Sequence, residues 1–405
     1  MSFTSFRLHP ALLAALPEQY QTPTAIQQQA LPLIIEGQDV VALAPTGSGK
    51  TLAFGLGLLH QLSQLDSEPT EVRAVIIVPT RELAAQISDV LIPLTKALSL
   101  KLTTLCGGAA VSEQAKEFNE QTPALVVATP GRLLDLVKQR LISLATVQHL
   151  VLDEVDRLLD MGLWPDVQRI LQNMPIHRQQ LLFSATLSDE LATQVALLAP
   201  QAKRVSIGAE SPLAKGITQQ CYLVNKGSKA QALIALLSTQ LKQQQVLVFI
   251  NARDSADALA KRLNKTGIVA LALHGEKDQA ERAGALQAFK EQKIKVLVTT
   301  DLLARGIDIA ALPVVINLDL PPSAPVYIHR VGRTARAGLK GVAISLICHG
   351  ELPALTAIRE LTGAELPLLP LDGFPVTDQP ASSERKRPAR DKKANRGQMN
   401  KRTRK

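Results

Sequence analysis

Two patterns of apolar positions alternate along this chain. Short runs of Val, Ile, Leu and Ala are apolar at every position, and between them lie longer stretches in which apolar residues recur every three or four places. An unbroken apolar run fits a strand buried on both faces, and the longer recurrence fits a helix with one buried face. Their alternation predicts βα units that build mostly parallel sheets. Strands are expected near residues 40–43, 74–78, 125–128, 149–152 and 181–183, and again near 246–250, 269–273, 296–299, 314–318 and 342–347. Ser188, followed by Asp189, Glu190 and an apolar run, reads as a capped helix start. The alternation pauses at 206–216, where Gly208, Ser211, Pro212 and Gly216 break the periodicity. This predicts an α/β protein of two domains, 1–205 and 217–372, joined by a linker at 206–216. Residues 373–405 turn polar, Pro-containing and basic, and are expected to be disordered when unbound.

Composition changes this picture in three respects. A chain of 405 residues with 46% hydrophobic and 20% charged residues has material for two sizeable cores. Its N-terminus lacks a basic region followed by an apolar one, and the apolar stretch 31–44 is interrupted by Glu36 and Asp39. The expectation is a cytoplasmic protein with no membrane segment. Cys106, Cys221 and Cys348 lie too far apart for a zinc knuckle or redox pair, so they read as small buried hydrophobes. His274 and His329 have no accompanying cluster of Cys or carboxylates, which favours structural or coupling roles over metal binding.

The net charge of +9 is unevenly distributed. Residues 385–405 hold 11 Lys or Arg against one acid, Asp391, and the remaining 34 basic and 35 acidic residues leave the rest of the chain at −1. Such a tail either contacts nucleic acid or is a solvated run that aids solubility. With one Trp, three Tyr and eight Phe, the chain has too few aromatics for a multi-base stacking platform. Nucleic-acid contacts would therefore fall mainly on the backbone.

Two constellations carry chemistry. The predicted strand at 40–43 runs into Ala44-Pro45-Thr46-Gly47-Ser48-Gly49-Lys50-Thr51 and then a helical pattern. A strand, a small-residue loop, Lys-Thr and a helix make a phosphate cradle in which backbone N–H groups, Lys50 and a magnesium-ligating Thr51 meet the oxygens. The plain alternative is a tight turn. The strand at 149–152 ends in Asp153-Glu154-Val155-Asp156, and carboxylates at the end of a parallel strand suit a metal partner and a water-orienting base. The plain alternative there is an acidic strand end capping the next helix.

With these motifs the chain resembles the DEAD-box RNA helicase family, over nearly all of residues 1–350. The family's motifs occur in order: Pro23-Thr24-Ala25-Ile26-Gln27, the phosphate loop, Pro79-Thr80-Arg81-Glu82-Leu83-Ala84, Gly107-Gly108, Thr129-Pro130-Gly131-Arg132, Asp153-Glu154-Val155-Asp156 and Ser184-Ala185-Thr186. Gln279 and Arg282, Thr300-Asp301, Ala304-Arg305-Gly306-Ile307-Asp308 and His329-Arg330-Val331-Gly332-Arg333-Thr334-Ala335-Arg336 follow. The resemblance implies two tandem RecA-like domains and an RNA-stimulated ATPase that locally unwinds short duplexes or remodels RNA–protein complexes, using ATP and Mg2+. Its implied partners are RNA and ribosomal or RNA-decay complexes.

The resemblance also implies residue roles. Tyr20 would stack on adenine and Gln27 read its edge, with Asp308 at the ribose. Thr46, Gly47, Ser48, Gly49, Lys50 and Thr51 would hold phosphates, Thr51 and Asp153 the magnesium, and Glu154 the attacking water. Arg333 and Arg336 resemble arginine fingers. Arg81, Gly108, Thr129, Arg132 and Thr300 fall where relatives grip RNA, and Ser184 and Thr186 where hydrolysis is coupled to unwinding. Three positions depart from the pattern: Val155 replaces the usual Ala, Gln19 a Gly and Ala335 a common Gly. If residues 153–156 continue a strand, Val155 points away from its acidic neighbours. The rival readings are a DNA helicase, disfavoured by Gln27 in its Pro-Thr setting, and a nonenzymatic RNA clamp or chaperone.

Overall fold

The structure is a computed structural model that describes residues 2–17, 20, 22–45, 47–64, 71–120, 122–207, 216–301, 312–335 and 340–378. Among these residues, fourteen strands form two seven-stranded, wholly parallel sheets. The first sheet contains β1 (Val40–Leu43), β2 (Ala74–Ile77), β3 (Leu102–Leu105), β4 (Leu125–Ala128), β5 (His149–Asp153), β6 (Gln179–Ser184) and β7 (Lys203–Ser206), in the order β3-β4-β2-β5-β6-β1-β7. The second contains β8 (Ile217–Leu223), β9 (Val246–Phe249), β10 (Ala270–Leu273), β11 (Val296–Thr299), β12 (Val314–Asn317), β13 (Gly341–Ile347) and β14 (Leu368–Pro370), in the order β10-β11-β9-β12-β13-β8-β14. These are tandem RecA-like domains.

All ten strands expected from apolar runs are present, three with the expected ends and the others with ends shifted by a residue or two. The four that the pattern does not reveal are β3, β7, β8 and β14. Three of these lie at sheet edges, and β8 lies one place in. An edge strand leaves part of its surface to solvent, so its sequence is free to be polar. Strand β7 reads Lys-Arg-Val-Ser with only Val205 buried, whereas β2, in the middle of its sheet, reads Ala-Val-Ile-Ile and is buried throughout.

Helices cover both faces of each sheet. The helix Lys50–Leu62 is buried along most of its length, and its Phe54 meets Phe183 of β6 edge-on with centroids 5.2 Å apart. Gly57 lets this helix approach Ala25–Ile35, since a Cβ there would lie 2.5 Å from Ile34 Cγ2. The N-terminal residues Phe3, Phe6, Leu8 and Leu12 join the same core. Ser188 caps the helix Asp189–Leu198 as expected, its Oγ accepting from Leu191 N at 3.2 Å.

Arg330 organises the second domain. It is fully buried, and its guanidinium pairs with Asp301 through Nε–Oδ1 at 2.5 Å and Nη2–Oδ2 at 2.7 Å. It also donates to Asn251 Oδ1 at 2.8 Å and the Asp319 carbonyl at 2.5 Å, and lies 5.0 Å from the Phe249 ring centroid. One cation thus ties together the C-terminal ends of β9, β11 and β12. The described chain then continues past 373, where disorder was expected to begin. Phe374 packs on the core, and Asn225 Oδ1 accepts from the backbone N–H groups of Thr377 and Asp378 at 2.9 and 3.0 Å. Residues 379–405, with the basic run, lie outside the described residues.

Arg330→Ala strands the Asp301 carboxylate in a partly buried site and should cost about 3–5 kcal/mol. Because the only tryptophan, Trp164, lies in the first domain, urea unfolding should show the circular-dichroism transition moving while Trp fluorescence holds its midpoint. Ala335 has a left-handed backbone, φ 52°. Ala335→Gly should therefore stabilise the second domain by up to about 1 kcal/mol, read as a raised circular-dichroism midpoint.

Candidate functional site

The first sheet divides its C-terminal edge between two tasks. At one end, adjacent strands β5, β6 and β1 lead into the acidic segment, Ser184-Ala185-Thr186 and the phosphate loop. Beside them, β2, β4 and β3 lead toward Arg81, Thr129 and Gly107-Gly108. The candidate nucleotide and RNA residues are far apart in sequence and are sorted by strand order.

In the phosphate loop, Gly47 and Gly49 hold positive φ of 83° and 95°, and Gly49 caps the helix that opens at Lys50. The half-buried Thr51 follows on this helix. Lys50 is buried and donates through Nζ to the Ala44 carbonyl at 3.2 Å. Ser48 Oγ is buried without a hydrogen-bond partner. Gln27 braces the loop: its Nε2 donates to the Gly49 carbonyl at 3.0 Å, and its Oε1 accepts from Thr24 N at 2.9 Å. Each group retains one further hydrogen-bonding capacity for a base edge. Tyr20 is half-buried against the same core. Thr46, Gln19, Asp308 and Arg336 lie outside the described residues, as does the motif 304–308.

Strand β5 stops at Asp153, which corrects the expectation that Val155 continues it. Glu154 takes a left-handed conformation, φ 52° and ψ 53°, and Val155 is the first residue of the helix Val155–Asp160. That one-residue turn sends Val155 into the core at 1% exposure and ends strand alternation. Glu154 makes no side-chain capping bond to that helix, whereas Asp156 Oδ1 accepts from Arg157 N at 3.0 Å in its first turn.

Asp153, Glu154 and Asp156 are all buried, yet their environments differ. Burial pushes Asp153 up to about 6, with Lys50 opposing and Glu154 adding to the rise. Its Oδ1 accepts from Glu154 N at 2.9 Å. A desolvated carboxylate short of positive charge, beside a loop of backbone N–H groups, fits a Mg2+ held mainly by phosphate oxygens and water. For Glu154, burial works upward but is overcome by Arg157, Lys50, His329 and Arg333, which hold it at about 2. It is ion-paired to the buried Arg157. Asp156 also lies well below its ordinary value. Burial opposes this, and the adjacent His329 ring, the charge of Lys50 and the Thr186 hydroxyl outweigh it.

His329 and Arg333 belong to the second domain. His329 Nε2 lies 3.4 Å from Asp156 Oδ2, which also accepts from Thr186 N and Oγ1 at 3.1 and 2.9 Å. Ser184 Oγ donates to the Thr186 carbonyl at 2.8 Å. The Ser184 and Thr186 positions are thereby joined to the other domain through Asp156. Arg333, 2% exposed, donates from Nε to the His329 carbonyl at 3.4 Å. A second seam contact pairs Arg282 with Glu82.

On the other half of the edge, Gly108 has φ 110° and is exposed, Arg81 is exposed, and Thr129 and Arg132 are half-buried. Thr300, at the end of β11, is buried in the second domain. Sequence reasoning missed Arg157 and Gln114, which contact site residues. Adjacency to the acidic motif was the only signal for Arg157, and nothing in the pattern marked Gln114.

Comparison with known proteins agrees with this geometry. Residues 24–194 match the DEAD/DEAH box helicase family, and residues 228–338 match the helicase conserved C-terminal domain. The chain is 37% identical over 368 residues to the DEAD-box ATP-dependent RNA helicase RhpA of Helicobacter pylori, covering 91% of this chain and 74% of that one. Saccharomyces cerevisiae Dbp5 bound to RNA and ADP BeF3 superposes with a TM-score of 0.82 at 32% identity, covering 92% of this chain and 96% of that one. A single-substitution variant of the same yeast protein, bound to Nup159, a Gle1 variant, IP6 and ADP, gives 0.61 at 30% identity, covering 90% and 96%. The present arrangement of halves thus resembles that of the RNA- and nucleotide-bound relative. With both sequence and architecture matched along its length, this chain belongs to the DEAD-box family of ATP-dependent RNA helicases.

Proposed function

We propose that the chain couples ATP hydrolysis to local opening of RNA by closing two domains, 1–205 and 217–372, on one site across the linker 206–216. The observation that carries this reading is the seam itself, where His329 Nε2 lies 3.4 Å from Asp156 Oδ2 and the charge of Arg333 acts on Glu154. Phosphoryl transfer depends on alignment and charge stabilisation, so a site split between domains makes turnover conditional on closure.

In this reading, Lys50, Thr51 and the loop of Thr46, Gly47, Ser48 and Gly49 bind the phosphates, with Tyr20 and Gln27 at adenine and Asp308 at the ribose. Thr51 and Asp153 hold Mg2+, which when bound neutralises charge on the phosphate oxygens. Glu154 stays ionised and orients water, and Arg333 and Arg336 stabilise charge that develops during transfer. Arg81, Gly108, Thr129, Arg132 and Thr300 grip RNA through phosphates and sugars, largely independent of sequence. Ser184 and Thr186 relay closure through Asp156. ATP and RNA each favour the closed state, so each tightens the other's binding by the same factor. The tail serves as an RNA tether that raises local concentration without aligning the nucleotide. The reading is cytoplasmic, with ribosomal or RNA-decay complexes as protein partners.

RNA should stimulate ATP hydrolysis, and Lys50→Ala or Glu154→Gln should abolish it, the second variant still binding ATP. Arg333→Ala should lower RNA-saturated turnover by roughly a thousandfold. Steady-state phosphate release measures all three, and equal wild-type rates with and without RNA would sink conditional closure.

Truncation after Pro380 leaves the Asn225 contacts in place and removes the basic run. It should weaken RNA binding and flatten its salt dependence by about 0.7 in log–log slope for each phosphate released, while RNA-saturated turnover holds. Paired salt titrations test this. An unchanged slope would leave the tail a solubility element, and collapsed turnover would make it part of the catalytic cycle.

A further inference from the structure

The loop from β3 to the helix Val111–Glu120 carries Gly107 and Gly108 and is held from both sides. On one side, the Arg81 guanidinium lies so close to Gly107 that an added Cβ would come within 2.7 Å of Nη2. On the other side stands Gln114. Its Nε2 donates to the Cys106 carbonyl at 3.1 Å, and its Oε1 accepts from Arg132 Nη1 at 2.5 Å. Arg132 completes a three-cornered clamp by donating from Nη2 to the Ala109 carbonyl at 2.9 Å.

A glutamine suits this place because one amide supplies a donor to the loop and an acceptor to the guanidinium. The side chain is half-buried and near the surface, so it adds little to the core. Arginine carries five N–H donors, and the clamp engages two of them, leaving the others for a ligand while fixing the plane of the group. A free arginine side chain loses rotamer entropy on being ordered by a ligand, and one held in advance loses less.

We propose that Gln114 is a positioning residue for RNA: it locks Arg132 and the Gly107-Gly108 loop into one preformed cradle for a backbone phosphate. This rests on the reading that Arg132 and Gly108 contact RNA. It adds that the contact depends on a residue that reaches RNA only through its neighbours.

The test uses the full chain with a short fluorescein-labelled single-stranded oligouridine and a nonhydrolysable ATP analogue, measuring anisotropy, together with RNA-stimulated ATPase and melting temperature. Gln114→Met keeps the volume of the side chain and removes both hydrogen bonds, and Gln114→Ala removes volume as well. Both should weaken RNA binding by roughly three- to tenfold, within the range for a coupled pair, and raise the RNA needed for half-stimulation by the same factor. Turnover at saturating RNA and melting temperature should stay at wild-type values. Because Gln114 acts through Arg132, adding Gln114→Met to Arg132→Ala should cause little further loss. If Arg132→Ala alone leaves RNA affinity unchanged, the reading of Arg132 as an RNA contact fails. If Arg132→Ala weakens binding and Gln114→Met does not, or if the two losses are additive, that reading survives and the positioning role of Gln114 is overturned.

Discussion

Asp153, Glu154 and Asp156 place three carboxylates in a pocket that water barely reaches, and the rest of the structure answers to that concentration of buried charge. Buried anions persist only where cations and hydrogen-bond donors match them. The first domain supplies Lys50 and Arg157, and the second supplies His329 and Arg333. The compensation is unequal. Glu154 and Asp156 are held firmly ionised, whereas Asp153 remains under-compensated and is pushed up to about 6. A cation at Asp153 would therefore relieve the residual cost. If the domains part, Asp156 loses His329 and Glu154 loses Arg333. The same electrostatic requirement that tunes the site thus also favours the closed arrangement.

Geometry at the end of β5 makes this clustering possible. An uninterrupted strand would send alternate side chains to opposite faces. The left-handed turn at Glu154 instead converts strand to helix in one residue, burying Val155 in the core and leaving its acidic neighbours at the sheet edge. Left-handed backbone at a non-glycine residue carries strain, and among the described residues it recurs at six positions besides Glu154. Ala335 shows the same feature beside Arg333 and Thr334. Both positions lie next to the interdomain seam.

Strand order separates the candidate nucleotide residues from the candidate RNA residues. Since β5 lies between β2 and β6, the acidic segment stands at the boundary between the two halves of the edge. Asp156 extends that boundary by bonding Thr186 on one side and approaching His329 on the other. Asp156 thus links the Ser184-Ala185-Thr186 turn to the second domain, the contact through which the proposed coupling would pass.

Much of this was legible in the chain. Apolar runs located the ten strands named in advance because most are buried on both faces, and strict spacing exposed the phosphate loop and the acidic strand end. Three of the four strands that escaped lie at sheet edges, where solvent lets a sequence be polar, as in the Lys-Arg-Val-Ser of β7, whereas the edge strand β10 kept an apolar run and was found. Other features were invisible for a different reason. The approach of His329 to Asp156 spans 173 positions by their numbering, the pairing of Arg282 with Glu82 crosses the two domains, and the clamp around Gln114 joins a loop to a helix beyond the next strand. The left-handed turn at Glu154 likewise has no glycine to announce it. Periodicity and motif spacing record what each segment needs from its own neighbours along the chain. Which distant charges meet, and how a buried carboxylate is balanced, is decided only when folding brings those segments within a few ångströms of one another.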